Sequence, residues 1–394
     1  MRVLWLFACV VLTCFVFAQT NSTSDHLQTQ TRAGQQMEQF VSSRDFSGVV
    51  LVARKGQVLF QKAYGLANRE HGVANKLDTK FRLGSVTKQF TAMAIMILSE
   101  RGKLNVTDPI CKYIENCPTA WSAITVHHLL THTSGIPDFT DFPDNDHYEH
   151  LPMTPLETMA RFRDKPLEFV PGERFNYDNS GYLLLGHIVE RTSGERYEDF
   201  LRKNIYEPLG MLHSGYDHPR IVLKDRASGY ATRGVEILNA DYIEMDQPLG
   251  GGSMYSTVGD LLRWDQALYT EKLVSRKSLQ QIFTPNETVY SATRPLDRGW
   301  YSRHKYGYGW DIAQRWFGRR LYSHAGGING FQSMIMRYPE DRTLVVVLTN
   351  MESPEVQDGD LMEERTIIAN GLSAISFGLP PNSNPVSGKG SGTN

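Results

Sequence analysis

The sequence predicts an α+β fold in which N- and C-terminal segments form one antiparallel sheet, flanked by helices and interrupted by an all-helical lobe. Two apolar β-rich runs near the start, Gly48–Ala53 and Gln57–Ala63, are joined by a turn that ends in Gly56. Strand patterns return after residue 300, at Tyr306–Ala313, Leu321–His324, Phe331–Arg337 and Thr343–Asn350. The early and late strands must pair to make one sheet, which brings the two ends of the chain together.

Helical patterns border the sheet segments and fill the middle of the chain. Apolar side chains recur at helical spacing after Ser85 and predict a helix that runs to about Arg101. Other helices are predicted at 33–45, 180–203, 258–269 and 360–375. The helical lobe is expected at about 103–250, and the cleft between the lobe and the sheet is the natural place for a site.

The composition is that of a globular chain with nearly balanced charge. The chain has 394 residues, of which 41% are hydrophobic, and a formal net charge of −2. This is ample apolar material for a sizeable domain, which is expected at 33–375. No basic stripe is present, so nucleic acid is not expected as a partner. Residues 378–394 are rich in Gly, Pro, Ser and Asn and are predicted to form a disordered tail.

Residues 1–18 have the pattern of a secretory signal peptide. Arg2 precedes an apolar run from Val3 to Phe17, and a polar stretch follows Ala18. A membrane-spanning helix needs about 20 apolar residues, so no stable membrane span is expected after cleavage. The sequence therefore predicts a periplasmic or secreted protein. An uncleaved anchor and a lipoprotein modified at Cys14 are the alternatives.

Two pairs of residues are candidates for a disulfide or a metal site. Cys111 and Cys117 remain after loss of the signal peptide, and in an oxidising compartment they are expected to form a local disulfide. His128 and His132 are four residues apart on a predicted helix, which is a spacing that can hold a metal. No glutamate of the zinc-protease pattern and no third ligand accompany them. We therefore expect neither a metal nor a cofactor.

Ser85 and Lys88 form a Ser-x-x-Lys motif at the start of a predicted helix. Residues three apart share one helix face, so the Lys88 amine can reach the Ser85 hydroxyl. A buried lysine can lose its proton and act as a base, and the N–H groups at a helix start can stabilise an oxyanion. Ser302 and Lys305 repeat the motif, but in a predicted polar loop that no helix follows. Ser85 is therefore the candidate nucleophile.

Two later motifs supply candidate partners for the nucleophile. Tyr177 and Asn179 are two residues apart in a predicted extended segment, where their side chains point the same way. A tyrosine beside a lysine can shuttle protons, and an asparagine offers both a donor and an acceptor. His324 ends a predicted strand and can hydrogen-bond a tyrosine oxygen or bind an anionic group of a substrate. The N–H of Gly327 can be a second oxyanion donor.

The chain contains three motifs in a fixed order: Ser-x-x-Lys, Tyr-x-Asn and His-x-Gly. This series resembles the motifs of the serine β-lactamase and penicillin-binding superfamily. The similarity is to the branch that holds class C β-lactamases, D-Ala-D-Ala carboxypeptidases, D-aminopeptidases and related esterases, and it covers about residues 35–375. Further stretches that match this branch are 129–137, 251–257 and 306–310. The resemblance implies a β-lactamase/transpeptidase-like fold.

The resemblance also implies a role for each candidate residue. Ser85 would be the nucleophile, and Lys88 and Tyr177 would share general-base and general-acid work. Asn179 would orient the substrate and the Lys88 amine. The N–H groups of Ser85 and Gly327 would form the oxyanion hole.

The function implied is that of an exported serine hydrolase that forms an acyl-enzyme at Ser85 and cleaves peptide bonds of the D-Ala-D-Ala type or ester bonds. Its partner would be a small-molecule, peptide or ester substrate. A class C-like β-lactamase and a penicillin-binding sensor or scaffold without turnover are the alternatives.

Two residues depart from the β-lactamase pattern or complicate it. His324 stands where a β-lactamase of this class usually has lysine, and a neutral imidazole holds a β-lactam carboxylate less well than a permanent cation does. Efficient antibiotic hydrolysis is therefore less expected than peptidase or esterase activity. Asp178 lies between Tyr177 and Asn179 and is expected to point away from both.

Overall fold

Strands from both ends of the chain form the main sheet, and shorter strands lie between them. The computed structural model describes residues 31–286, 301–352 and 364–381, with only the backbone described at 301–304. The predicted signal peptide and most of the predicted tail lie outside the described residues. The strands are β1 Gly48–Arg54, β2 Gln57–Tyr64, β3 Leu66–Asn68, β4 Val73–Ala74, β5 Phe81–Arg82, β6 Gly215–Tyr216, β7 Tyr230–Arg233, β8 Glu236–Asn239, β9 Met254–Ser256, β10 Tyr301–Tyr306, β11 Asp311–Arg315, β12 Arg320–Ile328, β13 Phe331–Tyr338, β14 Thr343–Thr349 and β15 Met351–Glu352.

Helices cover both faces of this sheet and make up much of the middle of the chain. They are α1 at 31–42, then α2 Thr87–Glu100, α3 Val126–Leu130, α4 Asn145–Tyr148, α5 Pro155–Ala160, α6 Asn179–Ser193, α7 Tyr197–Leu201, α8 Glu207–Leu209, α9 Val258–Ala267, α10 Arg276–Ile282 and α11 Glu364–Ser376. No helix within the described ranges is both long and apolar enough to cross a membrane.

The main sheet is antiparallel and has the strand order β10-β11-β12-β13-β14-β1-β2. Strand β1 lies between β14 and β2, so the early hairpin pairs with the last long strand, with Val49 opposite Leu348. The predicted α+β fold, with a sheet built from both ends of the chain, is confirmed.

In the central strands β1, β13 and β14, side chains on both faces of the sheet are buried, and successive residues of β1 enter different cores. In β1, Val49 and Leu51 belong to the core shared with α2 and α6, whereas Val50 and Val52 belong to the core formed with α1 and α11. The alternation follows from the two-residue period of a strand. Burial on both faces explains why the strands read as continuous apolar runs.

Two predicted elements are in fact interrupted by glycine. The predicted helix 180–203 ends at Ser193, because Gly194 caps it in the left-handed conformation with φ of 75°; α7 and a π-helical turn at Arg202–Tyr206 follow. The predicted strand Tyr306–Ala313 is two strands joined by a turn, in which Gly309 has φ of 74°. The second Ser-x-x-Lys copy lies in β10, not in a loop.

The lobe predicted to be all-helical is not: the segment between α2 and β9 contains the helices α3 to α8, long irregular stretches and the short strands β6, β7 and β8, which the sequence pattern did not predict. A disulfide joins Cys111 to Cys117 in this region, as predicted. Strand β6 pairs with β9, and β9 pairs in turn with β5, which leads into the Ser85 motif. This small sheet connects the helical segment to the start of α2.

Gly326 lies where the main sheet packs closely against the residues that lead into α2. A Cβ at Gly326 would overlap the carbonyl oxygen of Leu83 and the hydroxyl of Ser333. We expect Gly326→Ala to lower the free energy of unfolding by about 1–3 kcal/mol, because overpacking forces the backbone to shift. Chemical denaturation measures the loss.

The control for this prediction is Gly259→Ala in α9. A Cβ there meets only Arg263 and Thr257, at 3.8 Å and 4.0 Å. Alanine favours helix more than glycine does, so this variant should be neutral or more stable by up to about 1 kcal/mol. Equal stability of the two variants would contradict the close packing of Gly326.

Candidate active site

Ser85 lies at the junction between the main sheet and the start of α2. It belongs to a single 3₁₀ turn, Gly84–Val86, that runs directly into the helix. Gly84 has φ of 52°, and a Cβ on it would lie 2.6 Å from the carbonyl oxygen of Gly327. A glycine before the serine is therefore required both by the backbone conformation and by the close approach of β12.

Lys88 is fully buried and its amine contacts three oxygen atoms. Nζ lies 2.8 Å from Asn179 Oδ1, 2.9 Å from the Gly251 carbonyl oxygen and 3.0 Å from Ser85 Oγ. The first two oxygens can only accept hydrogen bonds. A neutral amine that donates to both keeps its lone pair for the Ser85 hydroxyl. The geometry therefore suits Lys88 as the base that takes the Ser85 proton.

Two opposing effects set the protonation of Lys88: its burial and the negative charges of two nearby carboxylates. Removal from water lowers the pKa of Lys88 to about 7, and the negative charges of Asp138 and Asp178 oppose this shift. Near neutral pH a large fraction of Lys88 is uncharged, which a free lysine is not. Burial in this part of the fold thus makes an uncharged amine available beside Ser85 near neutral pH.

Asn179 begins α6 and is held by groups that the sequence analysis did not single out. Its Nδ2 donates to Asp138 Oδ2 at 3.0 Å and to Thr140 Oγ1 at 3.1 Å, while its backbone N–H also donates to Asp138 Oδ2 at 3.0 Å. These bonds place the opposite end of the amide, Oδ1, on Lys88.

Tyr177 lies over Lys88 and within a group of aromatic rings. Lys88 Nζ is 4.8 Å from the centroid of the Tyr177 ring. The ring packs on His132, with centroids 4.3 Å apart, and lies 6.2 Å from the ring of His324. The structure therefore brings together Ser85, Lys88, Tyr177, Asn179, His324 and Gly327, the six residues that the sequence analysis selected.

Asp178 faces the helix that it precedes. Its side chain accepts a hydrogen bond from the N–H of Gly181 and so caps α6, and the residue is 1% exposed. Its backbone N–H donates to His132 Nδ1 at 3.1 Å. Burial raises the pKa of Asp178 to about 7. This carboxyl group contributes to the field at Lys88 without opening onto the cleft.

His324 is neutral and both of its ring nitrogens are hydrogen-bonded. Nδ1 lies 2.6 Å from the carbonyl oxygen of Ala325 and must carry the proton, because that oxygen is only an acceptor. Nε2 then accepts from the Tyr306 hydroxyl at 2.8 Å. Burial lowers the pKa of His324 to about 4. Of the two contacts predicted for His324, the structure contains the one with a tyrosine oxygen.

Gly327 lies near the end of β12, opposite Gln332 in β13, and against Gly84. Arg365 in α11 donates a hydrogen bond to the carbonyl oxygen of the preceding Gly326. The end of β12 is therefore held in place by α11 on one side and by the residues that lead into α2 on the other. This fixes the distance between the Gly327 backbone and the Ser85 turn.

His128 and His132, the candidate metal pair, make separate contacts in the structure. Helix α3 ends at Leu130, so His132 lies beyond it and not on the same helix face as His128. Nδ1 of His128 accepts from the Thr125 N–H in a capping box. Throughout the part of the chain that the structure describes, no group of three or more His, Cys, Asp or Glu residues has the arrangement of a metal site.

The fold and this site are those of a serine hydrolase, in which a lysine lies beside the candidate nucleophile Ser85. A sequence model of the beta-lactamase family matches residues 33–368. The chain belongs to the beta-lactamase family, within the serine β-lactamase and penicillin-binding superfamily, as its motifs indicated.

Particular relatives are consistent with this assignment. Penicillin-binding protein 4* of Bacillus subtilis (strain 168) is 30% identical over 370 residues, which cover 90% of this chain and 76% of that protein. The octameric penicillin-binding protein homologue from Pyrococcus abyssi is 30% identical, with a TM-score of 0.74 over 88% of this chain and 78% of that chain. D-amino acid amidase from Ochrobactrum anthropi SV3 is 22% identical, with a TM-score of 0.72 over 88% and 96%, and shares the fold.

Proposed function

We propose that this protein is an exported hydrolase that forms an acyl-enzyme at Ser85 and cleaves amide bonds of the D-Ala-D-Ala type or ester bonds. The observation that carries the proposal is the contact of the buried Lys88 amine with Ser85 Oγ at 3.0 Å. A base at this distance can take the hydroxyl proton as the oxygen attacks.

The proposed reaction has two halves. Ser85 Oγ bonds to the substrate carbonyl carbon while its proton passes to Lys88, and the N–H groups of Ser85 and Gly327 stabilise the oxyanion. The carbon–heteroatom bond then breaks, and the leaving group takes a proton through Lys88 or Tyr177. Water next attacks the acyl-enzyme, gives up a proton to the same groups and restores the Ser85 hydroxyl.

The neutral state of His324 supports the choice of substrate class. A pKa of about 4 leaves no positive charge on His324 at neutral pH to pair with a substrate carboxylate. Neutral esters and amides have no carboxylate for such a cation to hold, whereas β-lactams do. We therefore place β-lactamase activity behind peptidase and esterase activity.

Export is supported by two features of the chain. Residues 1–18 have the pattern of a secretory signal peptide. The disulfide between Cys111 and Cys117 is of a kind that persists in oxidising compartments. We propose a periplasmic or secreted location, and detection of the mature N-terminus by mass spectrometry of the exported protein tests it.

A panel of three substrates tests the proposed activity. p-Nitrophenyl esters, a D-Ala-D-Ala peptide and nitrocefin are each incubated with the purified protein, and both product and covalent adduct are measured. We expect turnover on the ester or the peptide, with slower turnover on nitrocefin. Stoichiometric acylation without turnover on all three would instead favour a penicillin-binding sensor. Absence of adduct and product on all three would contradict the proposal.

His324→Lys tests the origin of substrate preference. A lysine at this position carries a permanent charge, and a charge-assisted hydrogen bond to a carboxylate is worth about 1.5–3 kcal/mol. We expect the ratio of kcat/KM for nitrocefin over a neutral ester to rise about tenfold or more.

The experiment compares kcat/KM for the two substrates because the substitution has other effects as well. Lysine also removes the acceptor for the Tyr306 hydroxyl and places a second cation near Lys88. Those losses lower both rates together. An unchanged ratio would mean that position 324 does not face the substrate carboxylate.

A further inference from the structure

We propose that Asp138 is a positioning residue that fixes the orientation of the Asn179 amide and so holds the Lys88 amine on Ser85. The inference rests on the proposed function, in which Lys88 is the base. It concerns a residue that touches neither Ser85 nor the Lys88 amine directly in the hydrogen-bond network. Asp138 lies between α3 and α6 and begins the 3₁₀ turn Phe139–Asp141.

The Asp138 carboxylate accepts four hydrogen bonds from two residues. Oδ1 accepts from the N–H of Thr140 at 3.0 Å and from its hydroxyl at 2.8 Å. Oδ2 accepts from the backbone N–H and from Nδ2 of Asn179, both at 3.0 Å. All four partners act as donors, so the site requires a group that only accepts. An ionised carboxylate meets this requirement and an amide does not.

The arrangement decides which end of the Asn179 amide faces Lys88. Because Asp138 takes Nδ2, Oδ1 points to the opposite side, where Lys88 Nζ lies 2.8 Å away. A flipped amide would place its oxygen against the carboxylate, which is repulsive. Its N–H would face the lysine amine, where it would repel a protonated amine or occupy the lone pair that a neutral amine offers to Ser85. Asp138 thus determines a hydrogen bond that it does not make itself.

Asp138 also contributes charge to the site. It is buried, its own pKa is raised to about 6 by burial and by the neighbouring Asp178, and it is therefore ionised at neutral pH. Its negative charge favours the protonated form of Lys88. The other groups around Lys88 are the carboxyl group of Asp178, the neutral imidazole of His324 and the rings of Tyr177 and Tyr182.

Asp138→Asn tests both effects in the full-length protein. An amide turns one acceptor into a donor that faces other donors, so the Asn179 amide loses its fixed orientation. We expect labelling of Ser85 by a fluorophosphonate to slow about 10- to 100-fold, the scale of a small misplacement in an active site. Loss of the negative charge should also move the acidic midpoint of the labelling rate to lower pH.

Asp141→Asn is the matched control. Asp141 is an exposed neighbour whose charge acts on Asp138, but it makes no hydrogen bond to Asn179 among those described. Removal of its charge should leave the labelling rate within about twofold of wild type. An equal loss in both variants would show that local charge alone matters, and would overturn the positioning role.

A double-substitution cycle separates positioning from a general loss of structure. If Asp138 acts through Asn179, Asp138→Asn should slow labelling by less than about twofold in an Asn179→Ala background. Full additivity of the two losses, or an unchanged rate and pH midpoint in the single variant, would overturn the inference. Wild-type protein that does not label at Ser85 would instead contradict the proposed function itself.

Thr140→Val replaces Asp138→Asn if the latter does not fold, as judged by its circular dichroism spectrum. The Thr140 hydroxyl bonds to both Asp138 Oδ1 and Asn179 Nδ2. Its removal loosens the same amide without a change of charge, so labelling should slow several-fold with an unchanged pH midpoint. An unchanged labelling rate in Thr140→Val would contradict the role of Asp138.

Discussion

Replacement of Ser85 with alanine is expected to abolish both covalent labelling and hydrolysis. The Ser85 hydroxyl oxygen lies 3.0 Å from Lys88 Nζ, and alanine removes this oxygen while it remains compatible with the turn Gly84–Val86. Loss of the nucleophile in other serine hydrolases lowers kcat by a factor on the order of 10⁶. We expect a loss of the same order here, which leaves activity at the level of the assay background.

Intact-mass analysis after incubation with a fluorophosphonate or a penicillin measures this result. The wild type should gain the mass of one adduct and Ser85→Ala should gain none. Ser302→Ala, in the second Ser-x-x-Lys copy, is the control and should label like the wild type. An adduct that persists in Ser85→Ala would refute the assignment of the nucleophile.

Replacement of Lys88 with methionine is expected to slow acylation by about 10²–10⁴-fold, the usual contribution of a general base. Methionine fills much of the space of the lysine stem but offers no amine to Ser85. It also leaves Asn179 Oδ1 and the Gly251 carbonyl without their donor. The thermal midpoint is therefore measured beside the labelling rate. Lys305→Met, in the second motif copy, is the control and should keep the wild-type rate.

The pH dependence of the wild type checks the same assignment. The base works when Lys88 is neutral, so the rate should rise with pH through the Lys88 pKa of about 7 and level off above it. In Lys88→Met this rise should be absent. A wild-type labelling rate that stays constant from about pH 5.5 to 8.5 would mean that Lys88 does not titrate as the base.

The sequence predicted those parts of the molecule that short-range patterns encode. Strand positions were evident because both faces of the sheet are buried, so that residues such as Val49 and Val50 are both apolar. Ser85 and Lys88 were evident because their contact spans a single helical turn. The family motifs supplied the order of the later residues.

Other features depend on contacts between residues that are far apart in the sequence, which local patterns do not predict. Asp138 reaches Asn179 across 41 positions of the sequence, and Lys88 contacts a carbonyl oxygen, that of Gly251, which any residue would carry. A hydrogen bond from His324 to a tyrosine oxygen was predicted, but Tyr306 as its partner was not, because the turn between β10 and β11 has the pattern of a continuous strand.

Gly194 and Gly309 account for the two predicted elements that are interrupted in the structure. Both adopt positive φ, and each ends an element that its neighbours would have continued. A glycine inside a helical or strand pattern is compatible with continuation at some cost, so the pattern alone did not decide. Of the two, Gly309 lies closest to the site, since a Cβ there would meet the Lys88 backbone at 2.7 Å.

The position of β1 between β14 and β2 has a consequence for the order of events during folding. The Ser85 turn is synthesised early, whereas Gly327, against which it packs, follows more than half of the 394 residues later. Contacts of such high sequence separation close slowly. A partly synthesised chain therefore carries the serine and the lysine without the strand that completes the site. Reactivity should be the last property that the molecule acquires, after the late strands have joined the sheet.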